Sequence, residues 1–143
     1  MRVARRAALP AIAALLPALL AGCAAAPPAA CPAGTGPATF AEAFFGRSAA
    51  GREVVDDAAW ARFVDEVLTP AFPDGLTVLD GAGQWRGRDG RVARERSKLL
   101  LVALPSATPD GAAARLAPVT AAYRARFGQE SVMVATRPGC VGF

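Results

Sequence analysis

Apolar and polar positions follow two different periods along this chain, and these periods predict helices and strands in a definite order. Apolar residues recur every three or four positions in residues 60–68 and again in residues 116–127, which is the spacing of one buried helix face. Shorter apolar stretches, bounded by glycine, proline and aspartate, are typical of strands. The predicted strands occupy residues 40–46, 76–80, 92–104 and 131–136.

Residues with known preferences for helix ends limit the two helices. Asp56 or Asp57 can cap the first helix, and Thr69-Pro70 is predicted to end it. Asp110 or a nearby residue begins the second helix, and Gly128 ends it. The order is therefore strand, helix, strand, strand, helix, strand.

This order predicts an α+β fold of the ferredoxin-like βαββαβ type, a four-stranded antiparallel or mixed sheet with two helices on one face. In that topology the fourth strand lies beside the first, followed by the third and then the second. Asp89-Gly90 predicts a tight hairpin turn between the second and third strands. Gly81 and Gly83 predict a bulge in the second strand.

The start of the chain has the features of a bacterial lipoprotein signal. Basic residues precede an apolar run at 7–21, which contains two prolines and is too short to span a bilayer well, and Leu-Ala-Gly then leads directly to Cys23. We expect a signal peptide at 1–22, a lipidated Cys23 in a flexible Ala/Pro/Gly-rich tether at 23–38, and one domain at 39–143. The protein would then be exported and anchored by lipid in the cell envelope, in the outer membrane if the host has one. The alternative is plain cleavage and secretion.

Charge and composition exclude several classes of function. The three arginines of the signal segment account for most of the formal charge of +4, since 13 basic side chains remain against 12 acidic ones. A nearly neutral domain gives no electrostatic reason to expect a nucleic-acid partner. The chain contains no histidine, which excludes Ser–His and Cys–His nucleophile pairs and histidine-ligated metals. We therefore expect no metal and no cofactor.

Two cysteines remain once Cys23 is set aside. Cys31 precedes the first predicted strand and Cys140 follows the last. Neighbouring antiparallel strands would bring both residues to the same edge of the sheet, and exported proteins commonly carry disulfides. The sequence therefore predicts a bond between Cys31 and Cys140.

Several strings resemble a bacterial domain-of-unknown-function family, number 3574, which is found in small exported proteins and lipoproteins. The strings lie at residues 44–48, 72–78, 80–85, 94–98 and 129–132. The sequence departs from the family pattern at Ala71, where the family has arginine, so an anion-binding role for that arginine does not carry over. The resemblance implies an exported single domain, and it supplies no activity.

One candidate ligand site joins the end of the first strand to the start of the fourth. Because these strands are predicted to be antiparallel neighbours, Arg47 should approach Gln129 and Glu130. A guanidinium beside an amide and a carboxylate could bind an anionic or carbonyl ligand. The alternative is a structural Arg–Glu pair that ties the loop to the sheet.

The predicted hairpin carries two further candidates. Asp80 should lie opposite Ser97 and Lys98, with Glu95 opposite residue 82 or 83. The two carboxylates and the lysine could perform acid–base chemistry, or they could form ordinary cross-strand charge pairs. Gln84 and Trp85 offer a platform for a sugar or an aromatic ligand. The alternative is that Trp85 packs in the core.

The strands are apolar on both faces, which predicts that the sheet face away from the helices is covered. Residues 99–104 and 132–135 do not alternate with polar residues. Phe40 and Phe44 should lie on one face and Phe45 on the other. A second copy of the chain, forming a homodimer, is the first expected occupant of the open face, and a lipid-like or aromatic ligand is the second.

These features together predict a non-catalytic envelope lipoprotein that binds a partner chain or a small ligand of unknown identity. The rival hypothesis is a small cofactor-independent enzyme of the dimeric α+β barrel type that uses carboxylate, arginine and lysine groups. A buried, isolated carboxylate such as Glu42 or Glu95 facing a closed cavity would favour the enzyme.

Overall fold

Four long strands make one sheet, and the helices pack on one of its faces. The computed structural model describes residues 30–143. The elements are β1 Gly36–Gly46, β2 Ser48–Ala49, β3 Arg52–Glu53, α1 Asp57–Phe63, a π-helical turn at Val64–Leu68, α2 Thr69–Ala71, β4 Thr77–Arg86, β5 Val92–Pro105, α3 Pro109–Phe127 and β6 Met133–Val141. The predicted signal peptide and the Cys23 lipidation site lie outside the described residues. Within residues 30–143, no helix combines the length and the apolar character needed to cross a membrane.

The strand order is β4-β5-β1-β6, with every neighbouring pair antiparallel. This confirms the predicted ferredoxin-like α+β fold and its strand order. The short strands β2 and β3 form a separate hairpin. β1 and β6 are longer than predicted, because their ladder continues out to the pair Gly36 and Val141. The folded unit begins at Cys31, so it includes the last part of the predicted tether.

The first helix begins as predicted and ends later than predicted. Asp56 caps it, since the Ala59 N–H donates to Asp56 Oδ1 at 2.7 Å. The predicted end of this helix at Thr69-Pro70 is wrong, because the helical segment continues to Ala71. The chain widens into the π-helical turn, where the Thr69 N–H donates to Val64 O, and α2 then restarts with Pro70 in its first turn. A proline is tolerated there because the first N–H groups of a helix have no intrahelical partner.

The β4–β5 hairpin runs without the bulge that its glycines predicted. The register continues unbroken from Thr77 opposite Leu101 to Arg86 opposite Val92. A Cβ atom on Gly81 would lie 2.8 Å from Leu99 Cδ1, so this glycine makes room for a side chain of the neighbouring strand. Gly81 therefore allows close side-chain packing and does not interrupt the β4–β5 ladder.

The hairpin turn lies at the predicted place but is wider than predicted. The Gly87 N–H donates to Arg91 O at 2.9 Å, which closes a loop of residues 87–91. Gly90 has a φ of +79°, whereas a two-residue turn of type I′ would need positive φ at both central positions. Asp89 instead uses its side chain, whose Oδ1 accepts the Arg91 N–H at 3.0 Å.

The second helix is α3, and its cap is Thr108 rather than Asp110. Thr108 Oγ1 accepts the Gly111 N–H at 3.1 Å. Pro118 lies inside the helix on its exposed side, where water can solvate the carbonyl that the proline leaves unpaired. Gly128 ends the helix in the left-handed conformation, with a φ of +64°.

The main core lies between the helices and one face of the sheet. Its centre is a cluster of aromatic rings whose centroids are 4.7 to 6.1 Å apart. The rings belong to Phe45, Trp60, Phe63, Tyr123 and Phe127. Phe40 and Phe44 are half-buried on the other parity of β1, as predicted. Large apolar side chains are therefore present on both faces of the sheet.

The predicted disulfide is present. Cys31 and Cys140 are bonded, with Cα atoms 5.7 Å apart. Cys140 lies opposite Pro37 in the β1–β6 ladder, so the bond ties the segment before β1 to the end of the edge strand. It closes a loop that contains almost the whole domain.

Candidate ligand-binding pocket

A pocket of about 210 Å³ lies where the β4–β5 hairpin extends beyond the end of β1. β1 ends at Gly46, opposite Ser97, whereas the hairpin continues to its loop. The extension and the segment leading into β6 enclose the pocket. Its polar lining is Gln84, Glu95, Ser97, Gln129 and Ser131, and its apolar lining includes Phe44, Trp85 and Met133.

Trp85 carries an unused hydrogen-bond donor at this pocket. Its Nε1 is buried and has no hydrogen-bond partner among residues 30–143. Leaving a buried N–H without an acceptor costs about 1–3 kcal/mol, and buried donors in folded proteins are nearly always paired. The indole is neither a simple core residue nor fully exposed, since the side chain as a whole is half-buried.

Glu95 and Gln129 hold the backbone that forms the end wall of the pocket. Glu95 Oε2 accepts the Ser48 N–H at 2.8 Å, and Gln129 Nε2 donates to Ser48 O at 3.0 Å. A Cβ atom on Gly46 would lie 2.5 Å from Glu95 Oε1, so the carboxylate requires glycine there. These contacts fix the chain between β1 and β2.

A second cavity, of about 430 Å³, shares Trp85, Glu95 and Gln129 with the first. The β2–β3 hairpin lines its other side, with residues 48–51. Small-molecule sites in proteins commonly enclose about 300–1,000 Å³. The two cavities together are in that range.

Tyr123 supports the same wall from the core side, a role that no sequence pattern predicted. Its hydroxyl donates to Gly46 O at 2.8 Å. Burial raises the pKa of the Tyr123 phenol. The helical spacing identified Tyr123 only as a core residue.

Arg47 does not meet Gln129 and Glu130, so that prediction is wrong. Its side chain is 1% exposed, and its Nε donates to Val55 O at 2.6 Å. Nη2 lies 3.1 Å from Glu53 Oε1, and Nη1 forms an ionic contact with Asp57 Oδ1 at 2.9 Å. Arg47 follows Phe45 by two residues, and positions two apart in an extended chain share a face, so the guanidinium goes to the helix side.

Glu130 instead lies near the hairpin loop. Its Oε2 is 3.7 Å from Arg88 Nε, and both side chains are exposed. It lines the larger cavity without lining the smaller one. The pairing is a solvated ion pair, a class that adds little stability.

The predicted cluster of Asp80, Lys98 and Glu95 is split between the two faces of the hairpin. Asp80 lies directly opposite Lys98, and Glu95 lies opposite Gly83, as predicted. Lys98 Nζ is 2.6 Å from Asp80 Oδ1 and 3.7 Å from Asp57 Oδ1 on the helix side. The Lys98 hydrogen bond lowers the pKa of Asp80. Because Glu95 differs from Lys98 by an odd number of positions, the pleat directs it to the opposite face.

Sequence reasoning therefore identified Gln84, Trp85, Glu95 and Gln129 as candidates, and the structure brings these four together. It did not identify Ser97, Ser131 or Met133. Ser97 could have been found, because it shares a strand face with Glu95. Within residues 30–143 there is also no group of three or more histidine, cysteine, aspartate or glutamate residues placed to hold a metal ion.

The fold and the pocket define a small α+β domain with a partly apolar, partly polar pocket at the end of its sheet. Residues 41–143 match the family described as "Protein of unknown function (DUF3574)", and the chain belongs to that family. No curated protein matches the sequence.

Several solved structures resemble this chain at low sequence identity. A phage SAM lyase in complex with S-methyl-5′-thioadenosine has a TM-score of 0.58 and 14% identity, covering 76% of this chain and 92% of that one. The same lyase without ligand has a TM-score of 0.53 and 14% identity, covering 77% and 91%. CPII, a nitrogen regulatory PII-like protein from Thiomonas intermedia K12, has a TM-score of 0.46 and 15% identity, covering 76% and 97%. At these identities the likeness to the lyase shows the fold alone.

Proposed function

We propose that this protein is a lipid-anchored envelope protein whose domain binds a small planar ligand without transforming it. The observation that carries the proposal is Trp85, which lines the pocket and whose buried indole N–H has no acceptor among residues 30–143. A ligand atom that accepts this hydrogen bond would remove the cost of the unpaired donor.

The chemistry of the lining indicates the class of ligand. Trp85, Phe44 and Met133 offer apolar contacts for a flat ring. The Gln129 amide and the hydroxyls of Ser97 and Ser131 supply hydrogen-bond donors and acceptors. This combination favours a neutral heteroaromatic ring that carries both donors and acceptors, as a nucleobase or a nucleoside does.

Binding is favoured over catalysis because the titratable groups are committed elsewhere. Lys98 is paired with Asp80 on the helix side, and Glu95 accepts a backbone N–H with one of its oxygens. Glu42 is paired with Arg137. An isolated carboxylate at a closed cavity would have favoured the enzyme hypothesis, whereas Glu42 is ion-paired and Glu95 accepts a backbone hydrogen bond.

The membrane anchor rests on the Leu-Ala-Gly-Cys string that ends at Cys23. Acyl chains contribute about 0.8 kcal/mol of membrane affinity for each buried methylene, so several chains hold a protein firmly at the bilayer. Intact-mass analysis of the membrane fraction tests this. An acylated chain that begins at Cys23 is expected, and a membrane-fraction species without the acyl mass would contradict it.

Titration calorimetry on the full chain tests the ligand site. S-methyl-5′-thioadenosine, bound by the structurally similar lyase, and adenosine are the first probes. Trp85→Phe keeps an aromatic ring and removes the N–H, and we expect it to weaken binding by about five- to tenfold, the worth of one hydrogen bond. The control is Arg88→Ala in the exposed hairpin loop, which should leave the affinity unchanged.

Two results would contradict the proposal. One is the absence of binding by either nucleoside or by free adenine at millimolar concentration. The other is a Trp85→Phe variant that binds as tightly as the natural chain.

A further inference from the structure

The sheet face opposite the helices is a mostly apolar surface, here called the open face. Alternate positions of the strands place Phe40 and Phe44 of β1 beside Leu99 and Leu101 of β5. Leu79 of the edge strand β4 and Met133 of the edge strand β6 extend the open face on its two sides. Leu79 is 49% exposed and Met133 is 59% exposed.

Two charged groups lie near the middle of the open face, and they neutralise each other. Glu42 Oε1 is paired with Arg137 Nη1, and the Arg137 guanidinium lies 5.5 Å from the centre of the Phe40 ring. The pair therefore adds no net charge near the middle of the open face, where a second copy of the same surface would meet it. Glu95, the other carboxylate on this face, lies at its end in the pocket, where it accepts the Ser48 N–H.

The dimensions of the open face are sufficient for a specific interface. Four strands about 4.8 Å apart are about 19 Å wide, and the nine residue pairs of β1 and β5 span about 27 Å at about 3.4 Å per step. The footprint is therefore ~500 Å² per copy, and two copies bury ~1,000 Å², which is the lower limit for a specific protein interface. A face of ~500 Å² is comparable to the largest apolar patch on a typical monomer, and such patches are often functional.

We infer that the open face binds the open face of a second copy of this chain, so that two sheets pack face to face. Twisted antiparallel sheets pack in this way with their strands about 30° apart and their side chains interdigitated. The interface is continuous with the ligand pocket, because Phe44 and Met133 belong to both. The partner copy would then cover the open side of the pocket. This last consequence rests on the proposed function, whereas the pairing itself does not.

Native mass spectrometry of the full chain in mild detergent measures the pairing directly. At about ten micromolar, the natural chain is expected to give the mass of two chains. Leu79→Lys places a charge on the open face at an exposed position that does not line the pocket, and it should give single chains. Val134→Lys is the matched control, because Val134 is 36% exposed on the other face of the same sheet, and it should remain paired. Circular dichroism establishes that each variant is folded.

Three outcomes would overturn the inference: a natural chain that is single, a Leu79→Lys variant that stays paired, or a Val134→Lys variant that separates to the same extent. A single natural chain carrying a bound lipid would identify the other occupant of the open face. Nucleoside binding by a chain that remains single would contradict the pairing and leave the proposed ligand site intact.

Discussion

Replacing the buried Arg47 tests whether this side chain holds the first connection of the fold together. In Arg47→Met, the flexible apolar side chain occupies much of the same space, so the change removes polar contacts rather than volume. The buried Val55 carbonyl loses the Nε–H that lies 2.6 Å away. Glu53 and Asp57 lose their contacts with the guanidinium.

The magnitude follows from the exposure of each partner. An unpaired buried carbonyl costs about 1–3 kcal/mol. The carboxylates contribute less, under about 1 kcal/mol, because Asp57 is 74% exposed and Glu53 is 39% exposed, so water replaces the lost cation. We therefore expect Arg47→Met to lower the free energy of unfolding by about 2.5 kcal/mol. With an unfolding entropy of about 2.1 cal/mol/K per residue, this lowers Tm by about 10 °C for a domain of this size.

Urea unfolding of the full chain, followed by circular dichroism with the disulfide intact, measures this difference. Arg96→Met is the matched control, because Arg96 approaches the same two carboxylates at 3.5 and 3.8 Å while its side chain is 56% exposed. We expect the control to cost no more than about 0.5 kcal/mol. If the two variants lose the same free energy of unfolding, or if Arg47→Met loses none, the Val55 O contact and the burial of Arg47 do not account for its contribution to stability.

Three further predictions concern the disulfide, the Asp80 pair and the wall behind the pocket. Cys140→Ser should lower the free energy of unfolding, measured in urea, by up to about 4–5 kcal/mol in the chain-entropy model. A loss below about 1 kcal/mol would show that the unfolded chain is already restrained without the disulfide. Lys98→Met should raise the pKa of Asp80 toward 3.8 in a carboxyl NMR titration. Because folding lowers the pKa of Asp80, the Asp80–Lys98 pair stabilises the fold at pH values above the unfolded pKa. This stabilisation is lost as the pH falls through the folded pKa. An unchanged titration would rule out the hydrogen bond as the cause. Tyr123→Phe removes the hydroxyl that donates to Gly46 O and should cost about 1 kcal/mol in the same unfolding assay, with an unchanged stability counting against that hydrogen bond.

Features that depend on neighbouring residues could be predicted from the sequence alone. The spacing of Trp60, Phe63 and Leu68 predicted a buried helix face, and all three side chains are buried. Gly128 predicted the end of α3, because few residues other than glycine readily adopt positive φ. The element order permits one common topology, and that topology predicts that Cys31 lies near Cys140.

Features that depend on the direction of a side chain within the folded sheet were decided by the tertiary structure. The predicted bulge would have shifted the alternation of β4, whereas Gly81 instead accommodates Leu99 and leaves the ladder unbroken. The unbroken pleat places Lys98 and Glu95 on opposite faces and so separates the predicted cluster. The same alternation turns Arg47 toward Glu53 rather than Glu130. A shift of one residue in a strand reverses the face of every side chain, so local patterns located these residues along the chain and the register decided which of them meet.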